Sequence, residues 1–404
     1  MQLGQRQNTP VPAGLFQGKN YVSLYYEMIE DLRKEEEIRI RELEKLPFTP
    51  IRNFNIEGET LLNPRYSPDG NLIAFNRLDP HSHDVIMLAD KDGLNSRVVT
   101  RRLPSDNTIT WAPDSSKIYF CQAEIFRGFN IYQDLYSYDI EGNNLKRLTK
   151  GLRVKDPDLS PDGRRFAVVI SESGNQNLAL LELEDRTKKS QLRIEILTDL
   201  KLLRVSSPRW SPDGSGIVYI VTFNDGRSGL YLYNISNKTH KPLIEDQFTI
   251  ANPAWSKDSR FIIYTSDETK VYNLFAYSLD EGRRYQITHL LGGAFHPDVS
   301  IDNKRIAFSN YNSRGFKIGV IEFDPEGWTP SPGPSIKPYW AENNLIKRVE
   351  MSNEIRVSKS RPYKAADTLA PRFWLPSLFS DHKGDVAGIF TAGRCTTGSI
   401  RKSP

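Results

Sequence analysis

The chain repeats one short turn six times, and this repetition constrains its fold more than any other feature. The copies are Tyr66-Ser67-Pro68-Asp69-Gly70, Trp111-Ala112-Pro113-Asp114-Ser115, Leu159-Ser160-Pro161-Asp162-Gly163, Trp210-Ser211-Pro212-Asp213-Gly214, Trp255-Ser256-Lys257-Asp258-Ser259 and Val299-Ser300-Ile301-Asp302-Asn303. Their aligned aspartates are spaced 45, 48, 51, 45 and 44 residues apart. A period of this length, filled with short strands, specifies propeller blades. Proline presets φ at the second turn position and glycine relieves the exit. The large apolar residue before the turn suits packing between neighbouring sheets.

A short apolar strand follows each turn, as in Leu72-Ile73-Ala74-Phe75 and Phe261-Ile262-Ile263-Tyr264. A third strand comes next, as in Asp134-Leu135-Tyr136-Ser137-Tyr138. A fourth ends at pairs such as Leu148-Thr149, Leu197-Thr198 and Ile287-Thr288. About four strands per repeat is the content of a blade. The expected fold class is all-β: a six-bladed β-propeller over 51–325, with an N-terminal α-helix and an irregular C-terminal tail.

The last repeat lacks its own fourth strand, because Ile318 to Phe323 runs into Asp324-Pro325-Glu326-Gly327. A fourth-strand equivalent instead stands before the first turn, in Ile51-Arg52-Asn53-Phe54-Asn55-Ile56. Residues 51–56 are therefore expected to close the ring by supplying the outer strand of the last blade, which removes an open seam.

Residues 1–50 differ in character. Tyr21 to Lys45 contains no Gly or Pro, and Leu24, Tyr25, Met28 and Leu32 fall at one-face helical spacing, predicting a charged helix over 21–45. Glu35 with Arg39, and Glu37 with Arg41, are i,i+4 pairs in the favourable order. Its charges are read as a solvated face. Residues 326–404 are read as a Pro-rich linker and tail.

Composition narrows the classes. Apolar residues at 38% and charged residues at 26% fit a globular chain. A net charge of +4 is too small for a nucleic-acid footprint. Two cysteines, Cys121 and Cys395, exclude a disulfide framework and a Cys-rich zinc site. No apolar run is long enough for a spanning helix, and the first residues lack the apolar segment of a secretory signal.

The Ser-Pro-Asp-Gly turn, its preceding aromatic and the closing Leu-Thr resemble the TolB-type, WD-like β-propeller repeat, over about residues 51–324. TolB proteins are periplasmic propellers that bind envelope proteins. The resemblance implies a non-enzymatic protein-interaction module of the bacterial cell envelope, periplasmic or outer-membrane associated, and monomeric. It departs from TolB in carrying a charged helix where TolB has a small α/β domain. The chain also resembles envelope proteins built from a peptidase-like domain, this propeller and an outer-membrane barrel. On that likeness Arg361 to Pro376 leads into a barrel and Gly384 to Phe390 is its first strand. The chain is then expected to be a piece of a longer protein, touching the membrane only through a barrel it does not contain. The alternative reading is a propeller that gates substrate for a peptidase whose catalytic domain lies outside this chain.

Catalytic motifs are missing from the sequence: there is no Gly-x-Ser-x-Gly, no His-Glu-x-x-His, no phosphate-binding loop and no dinucleotide fingerprint. No cofactor or metal is expected. His81-Ser82-His83-Asp84 is read as a solvated polar loop, and the six repeated aspartates as turn residues bonded to local backbone. Candidate binding residues lie at the channel mouth, six and four positions before each aligned aspartate: Asn63 and Arg65, Thr108 and Thr110, Asp156 and Asp158, Ser207 and Arg209, Asn252 and Ala254, His296 and Asp298. In an extended strand these two offsets share a side. The strongest partner-binding candidates are Asn63, Arg65, Asp156, Asp158, Arg209, Asn252, His296 and Asp298. A metal-dependent reading would rest on Asp156, Asn252 and Asp298.

Overall fold

The computed structural model describes residues 21–331, except 57, 59, 80, 82–83, 101–107, 127–129, 173, 183–192 and 201–202, together with the backbone of 373–381 and 384–392. Helix α1 (Tyr21–Leu43) forms where Gly and Pro are missing, and Leu43 is its one buried residue. Tyr25, Met28 and Leu32 of the expected apolar stripe are exposed. Arg41 pairs with Glu37 at 3.7 Å, but Arg39 takes Glu36, one residue nearer than the expected Glu35. The helix end is tied to the sheets by His289, whose Nε2 lies 2.8 Å from the Leu43 carbonyl oxygen. Phe48 stacks on the same imidazole, and Thr49 exchanges two hydrogen bonds with the His289 backbone.

After β1 (Arg52–Asn53) the strands fall into antiparallel meanders. Blade A holds β2 (Thr60–Tyr66), β3 (Leu72–Leu78), β4 (Val85–Asp90) and β5 (Arg97–Thr100). Blade B holds β6 (Ile109–Trp111), β7 (Lys117–Phe126), β8 (Asn130–Asp139) and β9 (Asn144–Arg147). Blade C holds β10 (Val154–Leu159), β11 (Arg165–Glu172), β12 (Asn175–Glu182) and β13 (Arg193–Ile196). Blade D holds β14 (Arg204–Trp210), β15 (Gly216–Thr222), β16 (Ser228–Asn234) and β17 (Thr239–Asp246). Blade E holds β18 (Ile250–Trp255), β19 (Phe261–Ser266), β20 (Asn273–Ser278) and β21 (Arg283–Gln286). Blade F holds β22 (Gly293–Val299), β23 (Arg305–Asn312) and β24 (Gly315–Glu322).

The repeated turns are built alike. Ser300 Oγ donates to Asp302 at 2.6 Å, and the same Ser–Asp contact occurs at Ser67, Ser160, Ser211 and Ser256. The aspartate also accepts a backbone N–H two residues on, so it stabilises the turn from inside. Gly70, Gly163 and Gly214 take φ between 72° and 74°, which explains glycine at the turn exit.

The core lies between blades. Ala74, Ile86 and Leu88 of A pack on Trp111, Ile118 and Phe120 of B, and comparable clusters join B to C, C to D, D to E and E to F. Another joins F to A: Ala307, Ile318 and Val320 meet Leu61, Ile73 and Phe75, with Phe54 and Ile56 between them. Here β1 pairs antiparallel with β24 through Arg52–Val320 and Asn53–Gly319, and Thr60 bridges Phe316 in parallel.

The pairs expected to end the fourth strands mostly sit just beyond them. Thr149, Thr198 and Thr288 turn their hydroxyls back into the sheet. Each accepts the N–H of a third-strand leucine (Leu135, Leu178, Leu274) and donates to the residue before it, Asp134, Asn177 or Asn273.

Past blade F the chain stays ordered further than the linker reading implies. Trp328 is buried against Phe261 and Phe323, with ring centroids 5.1 Å apart in both pairs. Strand β25 (Thr329–Pro330) then adds to β21 of blade E. Burying an indole offsets the ordering of the few residues that carry it. Residues 343–404 form a separate unit, in which β26 (Phe373–Asp381) and β27 (Gly384–Ala392) make an antiparallel hairpin. The segment expected to lead into a barrel thus contributes a strand of its own.

Candidate functional site

The innermost strands do not run straight. Between Leu62 and Arg65, Lys155 and Asp158, Ser206 and Arg209, Ala251 and Ala254, and Phe295 and Asp298, each strand carries one residue more than its partner. These are β-bulges. The residue six before the aligned aspartate takes a left-handed φ in all five: Asn63 57°, Asp156 51°, Ser207 51°, Asn252 50° and His296 51°. A proline follows each of them (Pro64, Pro157, Pro208, Pro253, Pro297), as expected of a Pro inside a sheet. The extended geometry anticipated for this stretch is therefore wrong. The bulge separates the two candidate offsets and sends them to different surroundings.

One cavity of about 370 Å³ opens at the end of the blades that carries the repeated turns. It is lined by all six residues four before the aligned aspartate: Arg65, Thr110, Asp158, Arg209, Ala254 and Asp298. None of Asn63, Asp156, Asn252 and His296 lines it. Above this layer stand Tyr66, Trp111, Leu159, Trp210 and Trp255, and at the rim Pro68, Pro113, Pro161, Pro212, Lys257 and Ile301. Lys257 and the aromatic layer escaped the sequence reading. The signal for Lys257 is visible, since it replaces the turn proline in the fifth copy.

The polar layer also ties blades together. Asp298 accepts the Tyr66 N–H at 2.7 Å, Thr110 that of Leu159 at 3.1 Å, and Asp158 that of Trp210 at 2.7 Å. Where this position is arginine, the bond runs through the backbone instead: the indoles of Trp111 and Trp255 donate to the carbonyls of Arg65 and Arg209 at 3.1 Å. Both arginine side chains are thereby released toward the cavity. Arg65 reaches Asp298 at 3.3 Å, and Arg209 stands 4.0 Å from Asp158. Burial, with the neighbouring Arg65 charge adding to it, brings the Arg209 pKa down to about 10. Burial also pushes Asp158 up, against the pull of Arg209 and the Trp210 N–H.

Deeper in, Asp156 accepts from the Ser207 N–H at 3.0 Å and lies 3.4 Å from the Thr108 hydroxyl. His296 Nδ1 lies 3.2 Å from Ser309 Oγ, which also accepts the Asn63 N–H. Burial, then the charges of Arg65 and Arg209, lower the His296 pKa to about 3. The imidazole is thus neutral in the native state at pH values where the unfolded chain already binds a proton. The stability so withheld is fully present above about pH 6.5 and is lost progressively below it, by at most about 1.4 kcal/mol per pH unit. His296→Asn, which places there the residue found at Asn63 and Asn252, is expected to flatten that slope in denaturant titrations run across this range. A slope equal to the parent's would assign the acid sensitivity to other groups.

Among the described residues, no group of three or more His, Cys, Asp and Glu side chains could hold a metal ion. Of the His81 to Asp84 loop, Ser82 and His83 lie outside the described residues; the His81 N–H donates to Asp79 at 2.9 Å. Among the described residues no helix is long and apolar enough to cross a membrane.

Residues 134–330 match the TolB beta propeller domain family. An uncharacterized protein of Agrobacterium fabrum is 29% identical over 157 residues, covering 38% of this chain and 48% of its own. The Tol-Pal system protein TolB of Francisella tularensis is 25% identical over 253 residues, covering 59% and 54%. The chain thus spans about half the length of these curated relatives. Among solved structures, TolB from Acinetobacter baumannii aligns with a TM-score of 0.48 at 18% identity, covering 64% of this chain and 63% of that one.

Proposed function

We propose, for a chain that carries a TolB-type β-propeller, that blades A to F form a six-bladed ring that captures a segment of another protein at its turn-side mouth, as a monomer and without catalysing a reaction. One observation carries this reading. Every blade contributes a residue to one cavity with an aromatic wall and a mostly proline rim. Such a surface is rigid before binding, so little ordering opposes capture. Its aromatic side chains are of the kind that dominate binding energy at interfaces. The carboxylates there are engaged by backbone N–H groups of the next blade, which fits a scaffold better than acid–base chemistry. Placement in the bacterial envelope rests on the likeness to a Tol-Pal system protein.

The reading is tested by panning a random-peptide library against the immobilised full chain. Peptides should be enriched, and they should bind Ile301→Arg about tenfold or more weakly. Ile301 is a rim residue and 48% exposed, so the change crowds the mouth and spares the core. Failure of any peptide to be enriched, or equal binding to the variant, would refute capture at this mouth.

A further inference from the structure

Among the described residues that line the cavity, three buried N–H donors have no acceptor, and the Tyr66 hydroxyl also lacks a partner. The Nε groups of Arg65 and Arg209 and the indole Nε1 of Trp210 lack hydrogen-bond partners, although these residues are only 7%, 6% and 6% exposed. Buried donors are nearly always satisfied, because an unpaired one forfeits its hydration without a replacement. The contrast with Trp111 and Trp255, whose indoles both find a carbonyl, marks Trp210 as the exception. The two guanidinium groups also repel one another, since each stands within the other's field in a buried site. The protein's own carboxylates compensate them only in part: Asp158 and Asp298 each commit one oxygen to a backbone N–H, the second Asp298 oxygen meets Arg65 Nη1 at 3.3 Å, and the second Asp158 oxygen stays 4.0 Å from Arg209.

We infer that the mouth holds one carboxylate of a captured peptide between Arg65 and Arg209, with the Trp210 indole as a third donor. Among the residues that line the cavity, three cations (Arg65, Arg209, Lys257) face two carboxylates (Asp158, Asp298). Asp156, outside the lining, also acts on Arg209. The excess positive charge is therefore one at most, which favours a monoanion over a dianionic phosphate. Two planar forks suit a carboxylate, which accepts from each side. This inference deepens the capture reading and rests on it. The carboxylate can come from an acidic side chain or from a chain terminus.

The test uses the full chain with ¹⁵N-labelled arginine, following the Nε–H resonances of Arg65 and Arg209, assigned through Arg65→Lys and Arg209→Lys. Acetate should shift both resonances saturably, while isosteric acetamide should not. Arg209→Gln should weaken acetate binding by about tenfold or more, the equivalent of one charge-assisted pair. Acetate that moves neither resonance, or that binds Arg209→Gln as well as the parent, would overturn the inference. Should Arg209→Gln fail to fold, the acetate–acetamide comparison on the unaltered protein decides alone. Acetate binding without any panned peptide would sink the capture reading and keep the anion site. Panned peptides that bind this mouth without Asp, Glu or a free terminus would do the reverse. Amidating the peptide terminus, against changing its Asp and Glu to Asn and Gln, tells the two carboxylate sources apart.

Discussion

Deletion of residues 51–56 is expected to abolish the cooperative unfolding transition of the propeller rather than trim one edge of it. These residues are part of the A–F interface. Phe54 is 4% exposed and packs with Ile318, Val320 and Phe75. Its N–H donates to the Ile318 carbonyl at 2.8 Å. Asn53 accepts from Asn310 at 2.9 Å, and Arg52 donates to the Asp92 carbonyl. The fit is close: Gly93, at φ 80°, has room for no side chain because a Cβ there would stand 2.3 Å from the Phe54 ring. Phe54→Ala alone should cost about 3–5 kcal/mol. Losing the whole segment also exposes the outer edge of β24 and the apolar sides of two blades. Thermal melts followed by circular dichroism check this. A deletion variant that melts with the parent would show that the ring holds without this strand.

Asp134→Ala is expected to destabilise the chain by about 3–5 kcal/mol, as the removal of one partner from a buried ionic network does. Asp134 is completely buried and accepts from the Thr149 hydroxyl, the backbone N–H groups of Gly151 and Leu152, and the Arg147 guanidinium at 2.6 Å. Burial alone would raise its pKa, but the Gly151 N–H, Arg147 and Thr149 together hold it below the usual carboxylate range. Its stabilising contribution is therefore complete above the ordinary carboxylate pKa and is lost as pH falls through the lower native value. Asp134→Asn should recover most of the loss, because Asn177 and Asn273 do the same work in blades C and E with one amide oxygen. Urea titrations of the three proteins near neutral pH decide it. An Asn variant as weak as the Ala variant would mean that charge, not the accepted hydrogen bonds, is what blade B requires.

How much of this was legible in the sequence depends on whether a feature is local. The turn is local: serine, aspartate and glycine within five residues explain one another, and six copies fixed the period. The Leu-Thr ending was visible, but its partner was not, since Thr149 meets Asp134 across a strand and a turn. At the mouth, alternation placed Asn63 beside Arg65 and Asp156 beside Asp158, which holds only for an unbroken strand. Five prolines at one offset carried the contrary signal, because a proline within a sheet implies a bulge. Helix α1 was legible from propensity, while its exposed Tyr25, Met28 and Leu32 show that a stripe in sequence does not by itself find a surface to cover.

The cleft bounded by Pro47–Arg52 on one side and Phe323–Trp328 on the other joins the start of the ring to its end. Fully extended, the chain from Arg52 to Thr329 would run roughly 900 Å. Folded, it returns to its starting point, where Thr49 bonds His289 and β25 lies on blade E. The propeller is therefore a detour in the path of the polypeptide: it adds mass and a cavity but no reach. Adding a further blade would widen the circle and, provided the last strand still met the first, lengthen nothing.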